Sequence, residues 1–193
     1  MILLIDNYDS FSYNLVQLAG SINPNIMVVR NDAMAVEEIE TLKPSHIILS
    51  PGPGYPKDAG ICEEVALKLS GKIPVLGVCL GHQSICEAFG ADICHARQLM
   101  HGKKSVLNIN TDSPIFEGLP NSIEAGRYHS LIAKENTIPK CLRVIATDSL
   151  GEVMAVEHTA YPTYGLQFHP ESILSPRGKE IMENFLKIRL CSY

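Results

Sequence analysis

Six cysteines occur among the 193 residues, and one of them stands where a sulfur could do chemistry. Cys79 lies in Pro74-Val-Leu-Gly77-Val-Cys79-Leu-Gly81-His-Gln83, where a short apolar run, Ile73 to Val78, gives way to a helical pattern over Gly81 to Phe89. A bounded apolar run of that length reads as a buried strand. Glycines two residues either side of the cysteine make Gly-x-Cys-x-Gly, the sulfur counterpart of the strand-turn-helix elbow that holds a nucleophile out above a sheet edge. A β-carbon at Gly77 or Gly81 would crowd that turn. Unpaired N–H groups and the dipole of a helix N-terminus favour a thiolate there. Cys62, Cys86, Cys94, Cys141 and Cys191 lie in apolar or helical stretches without an elbow and read as packing.

A cysteine nucleophile needs a base, and the base needs an orienting acceptor. His169 and Glu171 fit, in Gln167-Phe-His169-Pro-Glu171-Ser172 just after a strand. The residue before a proline avoids helix, and residues two apart in an extended segment share a face. The spacing therefore predicts an extended segment in which Glu171 fixes the imidazole tautomer and supports the imidazolium. Ser50-Pro-Gly52-Pro-Gly54 follows the strand His46 to Leu49, at the carboxyl edge where parallel sheets bind ligands. Prolines stiffen that loop while glycines let its remaining N–H groups approach a substrate. The Gly52 N–H and the Leu80 N–H could together form an oxyanion hole. The loop lacks the Gly-Lys-Ser/Thr ending of a phosphate loop. Cys79 with His82, His82 with Cys86, and Cys94 with His95 have no Cys-x-x-Cys or His-x-x-x-His companion, so no metal site is expected.

The elements that must position these groups are legible as alternation. Strands at Ile2 to Ile5, Ile26 to Val29, His46 to Leu49 and Ile73 to Val78 alternate with helices at Phe11 to Leu18, Val36 to Leu42, Ile61 to Leu69 and Gly81 to Phe89. That order predicts an α/β fold, an open, mixed, mainly parallel central sheet flanked by helices on both faces. Near Ala91 the character changes. Val106 to Ile109, Ile123 to Ala125, Leu142 to Thr147, Glu152 to Glu157 and Thr163 to Phe168 read as strands separated by turns, a smaller antiparallel part in the second half. Ser175 to Ile188 reads as a closing amphipathic helix.

Length fits a single domain over residues 1–193, against a prior of ~150 residues per domain. Hydrophobic content of 46% with 19% charged residues describes a globular chain rather than a disordered or collagenous one. A net charge of −5 offers no basic stripe to displace counterions from phosphates, so nucleic acid is not an expected partner. No run approaches the ~18 apolar residues of a membrane helix. The opening Met1 to Ile5 breaks at Asp6, and the first basic residue is Arg30, so no export signal is read and the thiols are expected to be reduced in a cytoplasm.

Taken together, Gly77-Val-Cys79-Leu-Gly81-His-Gln83, Ser50-Pro-Gly-Pro-Gly54 and Gln167-Phe-His169-Pro-Glu171-Ser172 resemble the class I, triad-type glutamine amidotransferases over essentially the whole chain. Leu3-Leu-Ile-Asp-Asn-Tyr-Asp-Ser-Phe11, His101-Gly-Lys103 and Arg127-Tyr-His-Ser130 are similar to the chorismate-linked branch of that family, the glutaminase subunits of anthranilate synthase and of aminodeoxychorismate synthase. The GMP synthetase glutaminase domain usually starts differently. The resemblance implies that Cys79 attacks the side-chain amide of L-glutamine, that the Gly52 and Leu80 N–H groups hold the oxyanion, and that His169 protonates the departing ammonia and then activates water against the thioester. It further implies that Gly52, Pro53, Gly54, Gln83, His129 and Ser130 bind glutamine. By themselves His129 and Ser130 read only as a strand end. The implied partner is a separate chorismate-using large subunit that receives the ammonia. No metal or organic cofactor is expected for the glutaminase step, magnesium belonging to that partner. Two rivals remain open. A cysteine peptidase or γ-glutamyl hydrolase with the same triad would turn over peptides or γ-glutamyl conjugates unaided, and an inactive regulatory subunit would not be labelled at Cys79 by a glutamine analogue.

Overall fold

The computed structural model of the protein describes residues 1–190; Cys191 lies outside them. The first half runs β1 (Ile2–Asp6), α1 (Ser12–Ile22), β2 (Ile26–Arg30), α2 (Val36–Leu42), β3 (His46–Leu49), α3 (Cys62–Leu69), β4 (Val75–Val78) and α4 (Leu80–Ala88). The second half adds β5 (Ile93–His95), β6 (Lys103–Ile109), β7 (Ser122–Arg127), β8 (Leu131–Ala133), β9 (Leu142–Thr147), β10 (Val153–His158), β11 (Thr163–Leu166) and α5 (Gly178–Lys187).

Nine strands form one sheet in the order β2-β1-β3-β4-β11-β10-β9-β6-β7, and β5 pairs with β8 in a small antiparallel ribbon. The strands from β2 to β11 in that order pair in parallel, and β10, β9, β6 and β7 continue the sheet antiparallel. The mixed sheet agrees with the sequence. The ribbon was not legible there.

Side-chain alternation explains the two helical layers. Ile2, Leu4, Ile48, Leu76 and Val78 pack in one core with Leu15 and Ala19 of α1 and Ile181, Met182 and Phe185 of α5. Leu3, Ile5, Ile47, Leu49 and Val75 turn to the opposite core, with Val36 and Ile39 of α2 and the apolar stripe Cys62, Val65, Ala66 and Leu69 of α3. Successive strand residues thus face opposite layers, which is why these strands are apolar throughout. Each such Leu or Ile, fully buried, contributes roughly 1.5–3 kcal/mol. Every chain segment leaving a carboxyl end of β1, β3, β4 and β11 emerges on the same sheet edge. Those segments are Asn7 to Phe11, Ser50 to Gly54, Cys79 and Gln167 to Glu171.

Between α3 and α4, Glu63 meets Glu87. Burial, then a hydrogen bond to Glu87 and its like charge, push the Glu63 carboxyl up to about 7. A carboxyl whose folded pKa lies above its unfolded one stabilises the fold while protonated, and that contribution fades as pH rises from about 4.5 to 7. Glu63→Gln is therefore expected to unfold at a higher temperature than the parent at about pH 8, with the advantage shrinking towards about pH 5. Melting curves at the two pH values check this, and an advantage independent of pH would refute it.

Candidate active site

The elbow is built as the glycines require. Cys79 leaves β4 with φ 52° and ψ −102°, a left-handed conformation that a non-glycine residue holds at a cost of roughly 1–3 kcal/mol. Its N–H donates to the Leu166 carbonyl at 2.7 Å, and its carbonyl accepts the Gln83 N–H at 3.0 Å as the first turn of α4 begins. A β-carbon on Gly77 would strike the Gly81 carbonyl, and one on Gly81 would strike the Leu49 carbonyl, so strand, helix and neighbouring strand meet at backbone distance. Cys79 is 7% exposed.

His169 comes to this sulfur from β11. Its N–H donates to the Gly126 carbonyl at 3.0 Å, and its own carbonyl accepts the Ser175 hydroxyl at 2.6 Å. Nδ1 lies 2.7 Å from Glu171 Oε1, both side chains being almost fully buried. The pairing agrees with the sequence, but the route differs. Only His169 is extended; a turn closed by the Ser172 N–H on the His169 carbonyl at 3.2 Å folds Glu171 back, where the spacing predicted a continuous extended segment. Pro170 accounts for both, since it excludes helix at His169 and then pre-sets the turn. Burial would lower the basicity of the ring, yet the interactions with Cys79 and Glu171 outweigh it and raise the pKa of His169 to about 10. Glu171 occupies Nδ1, so the sulfur falls to Nε2, a buried nitrogen with no hydrogen bond formed. The rings of Tyr128 and Phe11 pack edge-on against the imidazole, at 4.9 and 5.9 Å between centroids.

The loop Ser50 to Gly54 is tied down from the end of β1. The Asn7 N–H donates to Ser50 Oγ and its side-chain amide to the Ser50 carbonyl, each at 2.8 Å. Asn31 Nδ2 and the Cys62 thiol both donate to Asn7 Oδ1, at 2.9 and 3.2 Å. Asn7 is thereby fixed at both ends. A β-carbon on Gly52 would lie 2.6 Å from Asn7 Cβ, 2.7 Å from Leu80 Cδ2 and 2.8 Å from the Asn7 carbonyl. Gly52 is therefore wedged against Leu80, whose N–H belongs to the first turn of α4 and has no intrahelical acceptor. Pro53 and Gly54 are exposed, Gly54 at φ 82°, and together with Asn7, Asn31 and Leu80 they border a cavity of about 410 Å³.

Two glutamines form a hydrogen-bonded chain that ends on the same sulfur. Gln83 Nε2, on α4, donates to the Leu131 carbonyl and to Gln167 Oε1, both at 3.0 Å. Gln167 Nε2 in turn points to Cys79 Sγ at 3.6 Å. Gln167 was missed as a site residue, although it stands two residues before His169 on the same strand end. His129 and Ser130 lie in the link from β7 to β8. His129 is buried, and burial followed by the Arg127 charge pushes its pKa down to about 3, whereas Ser130 is exposed. His82 is fully buried against Gly165 and Cys86 and reads as packing.

The sequence pattern of class-I glutamine amidotransferases matches residues 3–188. The chain is 51% identical over 187 residues to aminodeoxychorismate/anthranilate synthase component 2 of Bacillus subtilis, covering 97% of this chain and 96% of that one. It is 50% identical over 192 residues to anthranilate synthase component 2 of Pseudomonas aeruginosa, covering 97% and 95%. It also matches a bifunctional protein of Thermotoga maritima, of which it spans 32%. The crystal structure of a Thermoplasma acidophilum protein described as a subunit of GMP synthase superposes with a TM-score of 0.85, covering 96% of this chain and 92% of that one at 24% identity, a likeness of fold. No described helix is long and apolar enough to cross a membrane. With an elbow cysteine, a histidine-carboxylate pair and a glycine-proline loop on one sheet edge, and with that family's pattern running through nearly its whole length, the chain belongs to the class-I glutamine amidotransferases.

Proposed function

We propose that the chain is the glutaminase subunit of anthranilate synthase, releasing ammonia from L-glutamine for a separate large subunit that converts chorismate to anthranilate. One observation carries the chemistry: Cys79, held out on an elbow at φ 52°, shares one sheet edge with His169, whose Nδ1 is taken by Glu171 at 2.7 Å and whose Nε2 is buried with no hydrogen bond formed. In this reading a Cys79 thiolate faces a His169 imidazolium. The thiolate attacks the side-chain carbonyl carbon of glutamine, and the oxyanion that forms takes the Gly52 and Leu80 N–H groups. His169 hands its proton to the leaving nitrogen, so ammonia departs and a γ-glutamyl thioester remains. Water, losing a proton to His169, then attacks the thioester carbon, the C–S bond breaks, and glutamate and the free Cys79 sulfur are released. Pro53, Gly54, Gln83, His129 and Ser130 border the bound glutamine. Magnesium belongs to the large subunit in this reading, and the glutaminase step takes no cofactor.

The Bacillus subtilis relative is described for both aminodeoxychorismate and anthranilate synthesis, which favours a second reading in which this chain serves an aminodeoxychorismate synthase as well. Co-purification with the native large subunit, followed by identification of the aromatic product from chorismate and glutamine, separates the two. Glutamine turnover by the isolated chain at the rate of the complex, with turnover of γ-glutamyl conjugates, would instead mark an independent hydrolase.

Glu171 orients and His169 transfers protons, so their losses are expected to differ. His169→Ala should lower glutamine-dependent kcat on the order of 10⁴-fold, and Glu171→Ala by at least about tenfold less. Steady-state rates on folded variants decide, and equal losses would assign Glu171 a part in the proton transfers themselves.

A further inference from the structure

The loop that presents the Gly52 N–H has few donors of its own. Of Ser50, Pro51, Gly52, Pro53 and Gly54, only the serine and the two glycines carry an N–H. The pairing of β1 with β3 stops at Ile5 and Leu49, and the Ser50 N–H is taken just beyond it, by the Ile5 carbonyl at 3.0 Å. A bond from Gly52 to the protein would consume the group the loop has to offer. Such a loop must be held by its acceptors, and those belong to Ser50. Asn7, the residue after β1 and 3% exposed, supplies the donors. Its N–H meets Ser50 Oγ and its Nδ2 the Ser50 carbonyl, each at 2.8 Å, while Ser50 Oγ donates its own hydrogen to the Pro51 carbonyl at 2.7 Å. The Asn7 side chain thus ties the two strand ends together past the point where their backbones part.

Only one orientation of the Asn7 amide does this. A backbone carbonyl accepts and cannot donate, so Nδ2 must face Ser50 and Oδ1 must face away. There Oδ1 takes two donors, Asn31 Nδ2 at 2.9 Å and the Cys62 thiol at 3.2 Å. Burial pushes the Cys62 thiol up to about 12, so it keeps the hydrogen it donates. Asn31 is itself held on both sides of its backbone, its N–H donating to the Asp6 carbonyl at 3.1 Å and its carbonyl accepting the Ile61 N–H at 3.0 Å. The backbone next to Asn7 is strained: Tyr8 stands at φ 60°, which a non-glycine residue holds only where its surroundings enforce it. The Tyr8 hydroxyl donates to Asp32 at 2.9 Å, and Arg30 lies over its ring at 4.4 Å. The chain is therefore bent off β1 at Tyr8, with Asn7 left facing Ser50.

We propose that Asn7 is a positioning residue for the oxyanion loop: held in one orientation by Asn31 and the Cys62 thiol, it fixes Ser50 and leaves the Gly52 N–H free for the transition state. This rests on the glutaminase reading for the task of Gly52, and on geometry for the tie. The Asn7 Cβ and carbonyl also form the wall behind Gly52, 2.6 and 2.8 Å from where a β-carbon there would lie, so a shift of Asn7 moves tie and wall together. Cys62 packs in the core with Val65, Ala66 and Leu69, and in this reading it acts on the reaction through Asn7 alone.

The test uses the full chain in complex with its large subunit. Asn7→Leu keeps the bulk and removes the amide, and glutamine-dependent kcat is expected to fall roughly 10- to 100-fold, the upper end being the loss of a whole oxyanion donor, with KM moving less. Cys62→Ala should lower kcat roughly 3- to 10-fold, the scale of one hydrogen bond, and Cys62→Ser, which restores a donor, should recover most of it. Two readouts separate positioning from general damage. Alkylation of Cys79 by iodoacetamide, in which sulfur displaces iodide at a saturated carbon, forms no oxyanion, so its rate should persist in Asn7→Leu while turnover falls. Amide hydrogen exchange at Ser50 should quicken in Asn7→Leu and in Cys62→Ala, and return towards the parental rate in Cys62→Ser. Should Asn7→Leu fail to fold, the Cys62 pair decides alone. A parental kcat in Asn7→Leu, alkylation lost in step with turnover, or Cys62→Ser no better than Cys62→Ala would each overturn the proposal. Quickened exchange at Ser50 in variants of a chain whose parent hydrolyses no glutamine would sink the glutaminase reading and leave the tie standing.

Discussion

Cys79→Ser is expected to lower glutamine-dependent aromatic product formation on the order of 10⁴-fold or more, the scale on which hydrolases lose rate with their nucleophile. Synthesis by the same complex from added ammonium salts should persist. The substitution changes one atom and leaves Cβ, elbow and fold in place. What disappears is the sulfur nucleophile, and a serine hydroxyl is a far weaker one without a matching activation. Ring chemistry belongs to the large subunit in this reading, so ammonia supplied from solution bypasses the defect. Labelling by a glutamine analogue gives an independent check. It should fall on Cys79 and spare Cys62 and Cys86, whose thiols burial pushes up, that of Cys62 to about 12. Equal loss of both activities in an intact complex would end the assignment of this chain as an ammonia donor.

The second large effect is expected at Gly52. Replacement by valine should lower kcat on the order of 10²-fold or more, as removal of a single oxyanion donor does. The added atoms have nowhere to go. Asn7 on one side is held by hydrogen bonds from Asn31 and Cys62 and to Ser50, and Leu80 on the other carries the second proposed donor. The loop must therefore back away, taking its N–H out of line with the developing charge. A donor aimed at the transition state contributes little to ground-state binding, so KM should move less than kcat. An unchanged kcat in a folded Gly52→Val protein would falsify the proposed hole.

What the sequence discloses and what it withholds follow from the range of the interactions. The strands and helices up to residue 90 are visible because each carries a continuous apolar run or stripe, a local signal. The elbow is visible because its two glycines are local necessities. The ribbon of Ile93–His95 with Leu131–Ala133 is not, since three residues show no period and their pairing spans a long stretch of chain. His169 and Glu171 meet as the spacing suggests, by a turn rather than by alternation. Gln167 could have been found from its place two residues before His169. Asn7 could not, because its partners are 24, 43 and 55 residues away and nothing in Leu3-Leu-Ile-Asp-Asn-Tyr-Asp-Ser-Phe11 announces them.

The left-handed backbone of Cys79 sets selection for durability against selection for turnover at one codon. Glycine occupies that conformation without strain, so Cys79→Gly relieves the elbow while deleting the sulfur. A library sorted for heat resistance or soluble yield would enrich such dead variants and score them as improvements. Any programme to harden this protein must therefore read chemistry at every round and gain its margin at positions remote from the sheet edge.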